Sequence, residues 1–233
     1  MREHVERFYE LLSTLEAQPS QARPLSEYTG RSGLPTRGVY FFREPGELRT
    51  PPASGMRVVR VGTHAVAQNT KSTLWRRLRS HRGNRSGGGH HRGSVFRRHV
   101  GAALIARDHT DDEAFNTWGT GSSASSRVRD AEARLERRVS EYLGQMSVLW
   151  VEINDAPGPE SLRALLEQNA IALLSKGMHP IDRPSDTWLG SYAVHPAIRR
   201  SGLWNINHVG QSYDPHFLDL LAEAIRSMTD RRA

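Results

Sequence analysis

Arg77 and His81 stand four positions apart in Leu74-Trp75-Arg76-Arg77-Leu78-Arg79-Ser80-His81, a spacing that puts both on one face of a helix. Upstream lies Tyr40, in the apolar run Gly38-Val39-Tyr40-Phe41-Phe42, which reads as a buried strand. Tyrosine, arginine and histidine drawn together suit phosphodiester hydrolysis. The guanidinium neutralises the scissile phosphate, and the phenol or imidazole orients or deprotonates the attacking water. Taken singly, each has a plainer reading: Tyr40 as a core residue, Arg77 as a solvated helix charge, His81 as a structural histidine. The combination is what points to chemistry.

Glu167 sits at the margin of an apolar stripe formed by Leu162, Leu165, Leu166, Ala170, Leu173 and Leu174. A carboxylate there is partly desolvated, which is costly unless it meets a cation. One carboxylate and several waters can hold Mg²⁺; equally, an edge glutamate can reach into solvent. Asn205, in Ser201-Gly202-Leu203-Trp204-Asn205-Ile206-Asn207-His208, either fixes a ligand or caps a turn. His81, His90, His91 and His99 crowd one stretch, but a zinc site made of histidines alone is uncommon. No paired cysteines or downstream Asn-x-His support an HNH nuclease at His90-His91. Asp111-Asp112-Glu113 reads as a solvated acidic turn rather than a metal site. Gly87–Gly93 lacks the Lys-Ser/Thr of a P-loop; between basic flanks it reads as a flexible clamp on a phosphate backbone.

These residues sit in an unusual charge environment. The 233-residue chain has 32 basic and 25 acidic side chains, a net charge of +7. From Leu48 to Arg107 it has 13 basic residues and no Asp or Glu, which leaves the remainder at −6. Such a block must repel itself or face a polyanion. Lysine occurs only at Lys71 and Lys176; arginine suits bidentate phosphate contacts, although coding bias accounts for most of that ratio. With no cysteine there is neither a disulfide framework nor a thiolate metal site. No apolar run approaches the roughly 18 residues of a membrane span, and the N-terminus has no apolar signal core. A cytoplasmic protein without membrane attachment is expected.

The elements that must position the site can be read from periodicity. Residues 2–17 form an amphipathic helix, followed by a Pro/Ser/Gly/Thr-rich linker over 19–36. A first strand at 38–42 is interrupted by Pro45-Gly46 and Pro51-Pro52, and a second covers 57–62. Helices follow at 72–82 and 94–106. A fourth helix, 127–145, has Asp130, Arg134, Glu132, Glu136 and Arg137 spaced like a solvated face. A strand at 147–153 precedes a helix opened by Pro159-Glu160, running to about Lys176 and capped by Gly177. Residues 178–202 read as irregular, and a last helix covers about 215–226. The expected fold is α+β, with a small three-stranded, mostly antiparallel sheet flanked by helices.

Gly38-Val39-Tyr40 with Arg60-Val61-Gly62, then Leu74-x-x-Arg77-Leu78-x-x-His81, the helical Glu167 and Leu203-Trp204-Asn205 together resemble the GIY-YIG nuclease superfamily, most closely its small type II restriction endonucleases. The resemblance spans about residues 37–207. It implies an N-terminal helix and linker over 1–36, a nuclease core over 37–207 with a helical insertion at about 94–146, and a C-terminal helical segment over 208–233. It makes Tyr40 the tyrosine that helps activate water, Arg77 the phosphate-binding arginine and His81 the histidine one turn later. Glu167 becomes the single ligand of Mg²⁺ or Mn²⁺, and Asn205 the asparagine that closes the site. One departure stands out. Arg60 occupies the second-motif position usually held by tyrosine, and arginine cannot act as a base. Thr63 also stands where many relatives carry lysine, with His64 beside it as a substitute charge.

The reading is a metal-dependent endonuclease acting on double-stranded DNA, of restriction or defence type. Arg60, His64, Arg76, Arg79, Arg82, Arg85, Arg92, Arg97 and Arg98 would contact the DNA. Cutting two strands with one site per chain suggests a homodimer, with helices 2–17 and 127–145 as candidate interfaces. The alternative is a non-catalytic nucleic-acid-binding module of a defence or repair complex, which Arg60 favours. An RNA-directed nuclease ranks lower, because no strand shows the exposed aromatic pairs of an RNA-stacking sheet.

Overall fold

The computed structural model describes residues 1–66, 70–108, 116–158, 160–176 and 179–231. In chain order its elements are α1 (Arg2–Glu16), β1 (Arg23–Pro24), β2 (Gly38–Leu48), β3 (Met56–Gly62), α2 (Leu74–Arg82), α3 (Val95–Asp108), α4 (Ser126–Gln145), β4 (Ser147–Glu152), α5 (Leu162–Ser175), α6 (Pro196–Ser201) and α7 (Phe217–Asp230). The sheet runs β1-β4-β2-β3 with every pairing antiparallel.

The run Val39 to Phe42 is apolar without alternation because both faces of β2 are covered. Side chains still alternate between the faces. Phe41 meets Phe8 of α1, ring centroids 5.6 Å apart. Tyr40 and Phe42 point the other way, towards His81 of α2 and Phe96 of α3. α1, α5 and α7 pack with one another, while α3 and α2 pack against α4. α1 buries Val5, Phe8, Tyr9, Leu12 and Leu15 within the chain, and α4 buries Leu135, Val139 and Leu143.

The sheet has four strands rather than three. β1 is only Arg23-Pro24, paired with Val148 and Ser147, and no periodic pattern announces so short a strand. Gln21 extends it, its side-chain amide donating to the Trp150 carbonyl (2.8 Å) and accepting from the Trp150 N–H (2.9 Å). β2 continues through Pro45-Gly46, because register shifts after Phe42 and Arg43 absorb the irregularity. Residues 178–202 are not wholly irregular: α6 has a proline in its first turn, the His195 side chain as N-cap and Gly202 in the left-handed region at its end. At the end of α5 Lys176 takes the left-handed conformation, with φ 31°. Gly177, Pro159 and the turn Asp111–Glu113 lie outside the described residues. No helix among the described residues is long and apolar enough to cross a membrane.

Candidate active site

Two close approaches fix the strand part of the site. Gly62 lies opposite Tyr40 in the β2–β3 ladder, and a Cβ on Gly62 would fall 2.3 Å from the Tyr40 ring and hydroxyl. A Cβ on Gly38 would fall 2.4 Å from the Val151 carbonyl oxygen across the β2–β4 pair. Both glycines are therefore steric requirements, and the absent side chain at 62 is the space that the phenol occupies.

α2 supplies the next layer. Its first turn is capped by Thr73, whose hydroxyl accepts from the Arg76 N–H at 3.2 Å. One face then delivers Arg77 and His81 to Tyr40. The Tyr40 hydroxyl is 3.0 Å from His81 Nε2, and both side chains are fully buried. The Ser94 hydroxyl lies 2.8 Å from His81 Nδ1, which leaves Nε2 for the tyrosine. Burial, assisted by Arg77, Arg60 and Arg97, holds His81 well below the usual imidazole range, so it is neutral at pH 7. Arg77 is half-buried, its pKa raised first by Tyr40 and further by Glu167.

Glu167 reaches the same place from α5. Its Oε1 accepts the backbone N–H of Thr63 at 3.2 Å, directly after Gly62, and the Thr63 hydroxyl donates to the Gly38 carbonyl at 2.9 Å. Burial lifts the Glu167 carboxyl above its ordinary value, against the pull of Arg60, the Thr63 N–H, His208 and Arg77. Among the described residues no cluster of three or more His, Asp or Glu side chains could hold a metal. Among the described residues Glu167, with its second oxygen taking no hydrogen bond, is the acid that acts on Arg77. A single hard oxygen ligand fits a cation that retains most of its water, as Mg²⁺ does.

Arg60 shares the sheet face of Tyr40. It pairs with Phe42, lies 4.6 Å over the Phe96 ring and donates from Nη1 to the Trp204 carbonyl at 2.7 Å. Burial lowers its pKa and Arg77 adds to the effect, while Tyr40 and Glu167 oppose it. The Nε atoms of Arg60 and Arg77 are both buried without a hydrogen-bond partner, as is His99 Nε2. Two of these donors, on Arg60 and Arg77, belong to the arginines that act on Glu167, so the carboxylate lies beside positive charge that the protein does not fully satisfy. Asn205 is committed differently. Its amide accepts from the Val61 N–H (3.0 Å) and donates to the Val61 carbonyl (2.8 Å), while the Trp204 N–H donates to the Val59 carbonyl at 2.7 Å. It fastens the 203–205 segment to β3.

The expected DNA contacts divide into three groups. Arg76, Arg79 and Arg85 are exposed, and Arg98 is half-buried. Arg82 lies over Trp75 and donates to the Tyr28 carbonyl. Arg92 and Arg97 are not free to meet DNA: Arg92 makes a two-pronged pair with Glu132 (2.6 and 2.8 Å), and Arg97, fully buried, pairs with Glu136 at 2.5 Å. Those two glutamates, expected on a solvated face, are buried counter-ions. His64 supplies no substitute charge, because burial pushes its pKa down to about 4 and its Nε2 donates to the Thr36 carbonyl at 3.1 Å. The basic block is thus partly neutralised from outside, with Arg49 on Asp182 and Glu6, and Arg57 on Glu47. The four clustered histidines do not converge: His91 pairs with Glu136 and stacks on Trp118, while His99 faces His195. Sequence reasoning missed Ser94, whose signal was its place before α3. There its hydroxyl accepts the Arg97 N–H at 3.3 Å as a helix cap and also reaches His81.

Against this geometry, the family model for the GIY-YIG domain matches residues 1–231. The chain belongs to the GIY-YIG family. GIY-YIG domains are DNA endonuclease domains, so the family gives a nuclease meaning to a tyrosine, an arginine, a histidine and a carboxylate gathered at the end of this hairpin. No curated protein and no solved structure matches the chain. Within the GIY-YIG frame its particular feature is Arg60, a buried cation on the hairpin beside the motif tyrosine.

Proposed function

We propose that this GIY-YIG protein is a metal-dependent endonuclease that hydrolyses phosphodiester bonds of double-stranded DNA at the cluster of Tyr40, Arg77, His81 and Glu167. The observation that carries the reading is the Tyr40–His81 hydrogen bond of 3.0 Å beside two arginines with unpartnered Nε atoms. Arg77 binds the non-bridging oxygens of the scissile phosphate, and Arg60 adds a second positive charge from the β3 side. Tyr40 holds the attacking water, and the neutral His81 imidazole relays the proton that the water loses as its oxygen bonds to phosphorus. The bond to the leaving strand oxygen then breaks, and that oxygen takes up a proton. Glu167 would hold Mg²⁺ or Mn²⁺, which supplies Lewis-acid charge at the phosphate when bound. His81 is kept in register by Ser94, and Asn205 keeps the 203–205 segment from drifting off β3.

A restriction or defence role in the cytoplasm agrees with the motif-level resemblance, and cleavage of both strands by single-site chains is the reason to expect a homodimer. Arg60 in place of a second tyrosine favours one competing reading, a domain that binds DNA without cutting it. Purified protein incubated with supercoiled plasmid, with Mg²⁺ and with EDTA, separates the two. Nicked or linear product only with the metal supports the endonuclease. A gel shift that survives EDTA, with no product under any metal, supports the binding module.

A further inference from the structure

We propose that the cleft between α2 and the glycine-rich turn after it is a second phosphate site, which takes a backbone phosphate of the substrate DNA other than the one that is cut. The inference rests on the nuclease reading of the neighbouring site. α2 has two working faces. Arg77 and His81 turn inward to Tyr40. Arg76, Arg79 and Ser80 line a cleft of about 440 Å³ whose other walls are Gly83, Asn84, Gly88, Gly89, His90 and Gly93. No carboxylate lines it, and neither Arg76 nor Arg79 forms an ion pair among the described residues.

The glycines shape the cleft by necessity. The Asn84 N–H donates to the Gly88 carbonyl at 2.8 Å and the Gly87 N–H to the Asn84 carbonyl at 3.2 Å, closing the turn. Gly83 has φ +85°, and a Cβ there would fall 2.4 Å from the Gly88 oxygen. A Cβ on Gly89 would fall 1.9 Å from Arg97 Nη2, so that backbone lies directly on a buried guanidinium. Among the described residues nothing accepts the amide N–H groups of Gly88, Gly89 or His90. Successive free amides beside two unpaired arginines, in a concavity without acid, form an anion site. Arg76 directly precedes Arg77 but turns to the other face of α2, so an anion in the cleft would lie apart from the phosphate held by Arg77. The occupant that suits a second anion site on the same helix is a further backbone phosphate of the DNA whose scissile phosphate Arg77 would hold.

The test is DNA binding without cleavage, in EDTA, read by fluorescence anisotropy over a salt series. It compares wild type, the Arg76→Ala/Arg79→Ala variant, Gly88→Asp, and an Arg129→Ala control. Arg76 and Arg79 are exposed, Gly88 has no positive φ, and a Cβ on Gly88 meets only the Asn84 side chain, 3.0 Å from Nδ2; circular dichroism on each variant checks that the fold is kept. One phosphate shared by two arginines predicts that the double variant lowers the slope of log K against log salt by about 1. Gly88→Asp, which puts a carboxylate in the cleft, should weaken binding in the wild type and add little in the double variant. A slope change near 2 would mean two separate surface phosphates and would overturn the proposal. So would an unchanged slope, or Gly88→Asp binding as tightly as wild type. A titration with inorganic phosphate makes the last comparison: thermal stabilisation at low concentration, lost in the double variant while the DNA slope stays unchanged, would assign the cleft to a free anion instead. Because binding is read apart from cleavage, failure of the nuclease reading shows as absent product with the slope change intact. Failure of the cleft shows as intact cleavage with no slope change.

Discussion

The ring of Tyr40 fills the space in which a side chain at Gly62 would begin, 2.3 Å from the position a Cβ would take. Tyrosine placement and second-motif glycine are therefore one steric fact. Gly62→Ala should displace the phenol from His81 and cost roughly 1–3 kcal/mol of stability through overpacking. Plasmid nicking should fall far more than stability alone explains, and circular dichroism with an activity assay on the same preparation checks both. A fully active Gly62→Ala would remove the tyrosine from the mechanism.

Arg60 gives the second prediction. If its charge serves the phosphate, Arg60→Met, which keeps much of the packing over Phe96, should lower the cleavage rate about 10²-fold, the scale of losing one donor to a developing oxyanion. Arg60→Lys should recover part of it. Equal rates for Arg60→Met and wild type in single-turnover cleavage would make Arg60 a packing residue only.

Glu167→Gln removes the carboxylate while keeping an acceptor for the Thr63 N–H. Nicking in Mg²⁺ or Mn²⁺ should fall by at least about 10²-fold, with DNA binding in EDTA little changed. The thermal midpoint should hold or rise, because burial lifts the carboxyl above its usual range and the charged form is a cost to the fold. Metal-dependent nicking at the wild-type rate would sink the proposed role.

His64 makes stability depend on pH in a definite direction. Its folded pKa is about 4, below the ordinary 6.5. As pH falls, the unfolded chain takes up the proton first. The contribution is therefore complete above about pH 6.5 and is lost as pH falls towards 4, by which point the loss amounts to at most about 3 kcal/mol, less with solvent screening. His99, also pushed to about 4, and His81 act in the same sense. Urea midpoints measured at pH 7 and pH 5 should differ more for wild type than for His64→Gln; identical pH dependence would contradict this.

Glu136→Ala leaves the fully buried Arg97 without its counter-ion. The expected loss is about 3–5 kcal/mol, read as a lowered urea midpoint. Because Arg97 also donates to the His81 carbonyl at 2.8 Å, cleavage should fall at temperatures where the variant is still folded.

What was legible in the sequence was whatever depends on local pattern. The apolar run around Tyr40 gave a strand, and the spacing of Arg77 and His81 gave a shared helix face, because both properties follow from backbone geometry alone. Glu132 and Glu136 were not legible: charges at helical spacing look the same whether they face water or a buried arginine some 40 positions away. The pairing of Arg92 and Arg97 is hidden for the same reason, since their partners arrive from α4. The Arg-Pro dipeptide of β1 carries no strand pattern, and its pairing exists only because β4 presents an open edge. Ser94 looks like an ordinary helix cap until His81 is folded against it.

The clip of Trp204 and Asn205 onto Val59 and Val61 has a consequence for assembly. It occupies the hydrogen-bonding groups that β3 would otherwise offer to an incoming strand. At the opposite end of the sheet stands β1, two residues long, with a proline that has no N–H to give. Neither margin invites a stranger's backbone. Two copies of this chain on one duplex would have to meet through helices or loops, and the sheet is guarded against growing into an aggregate.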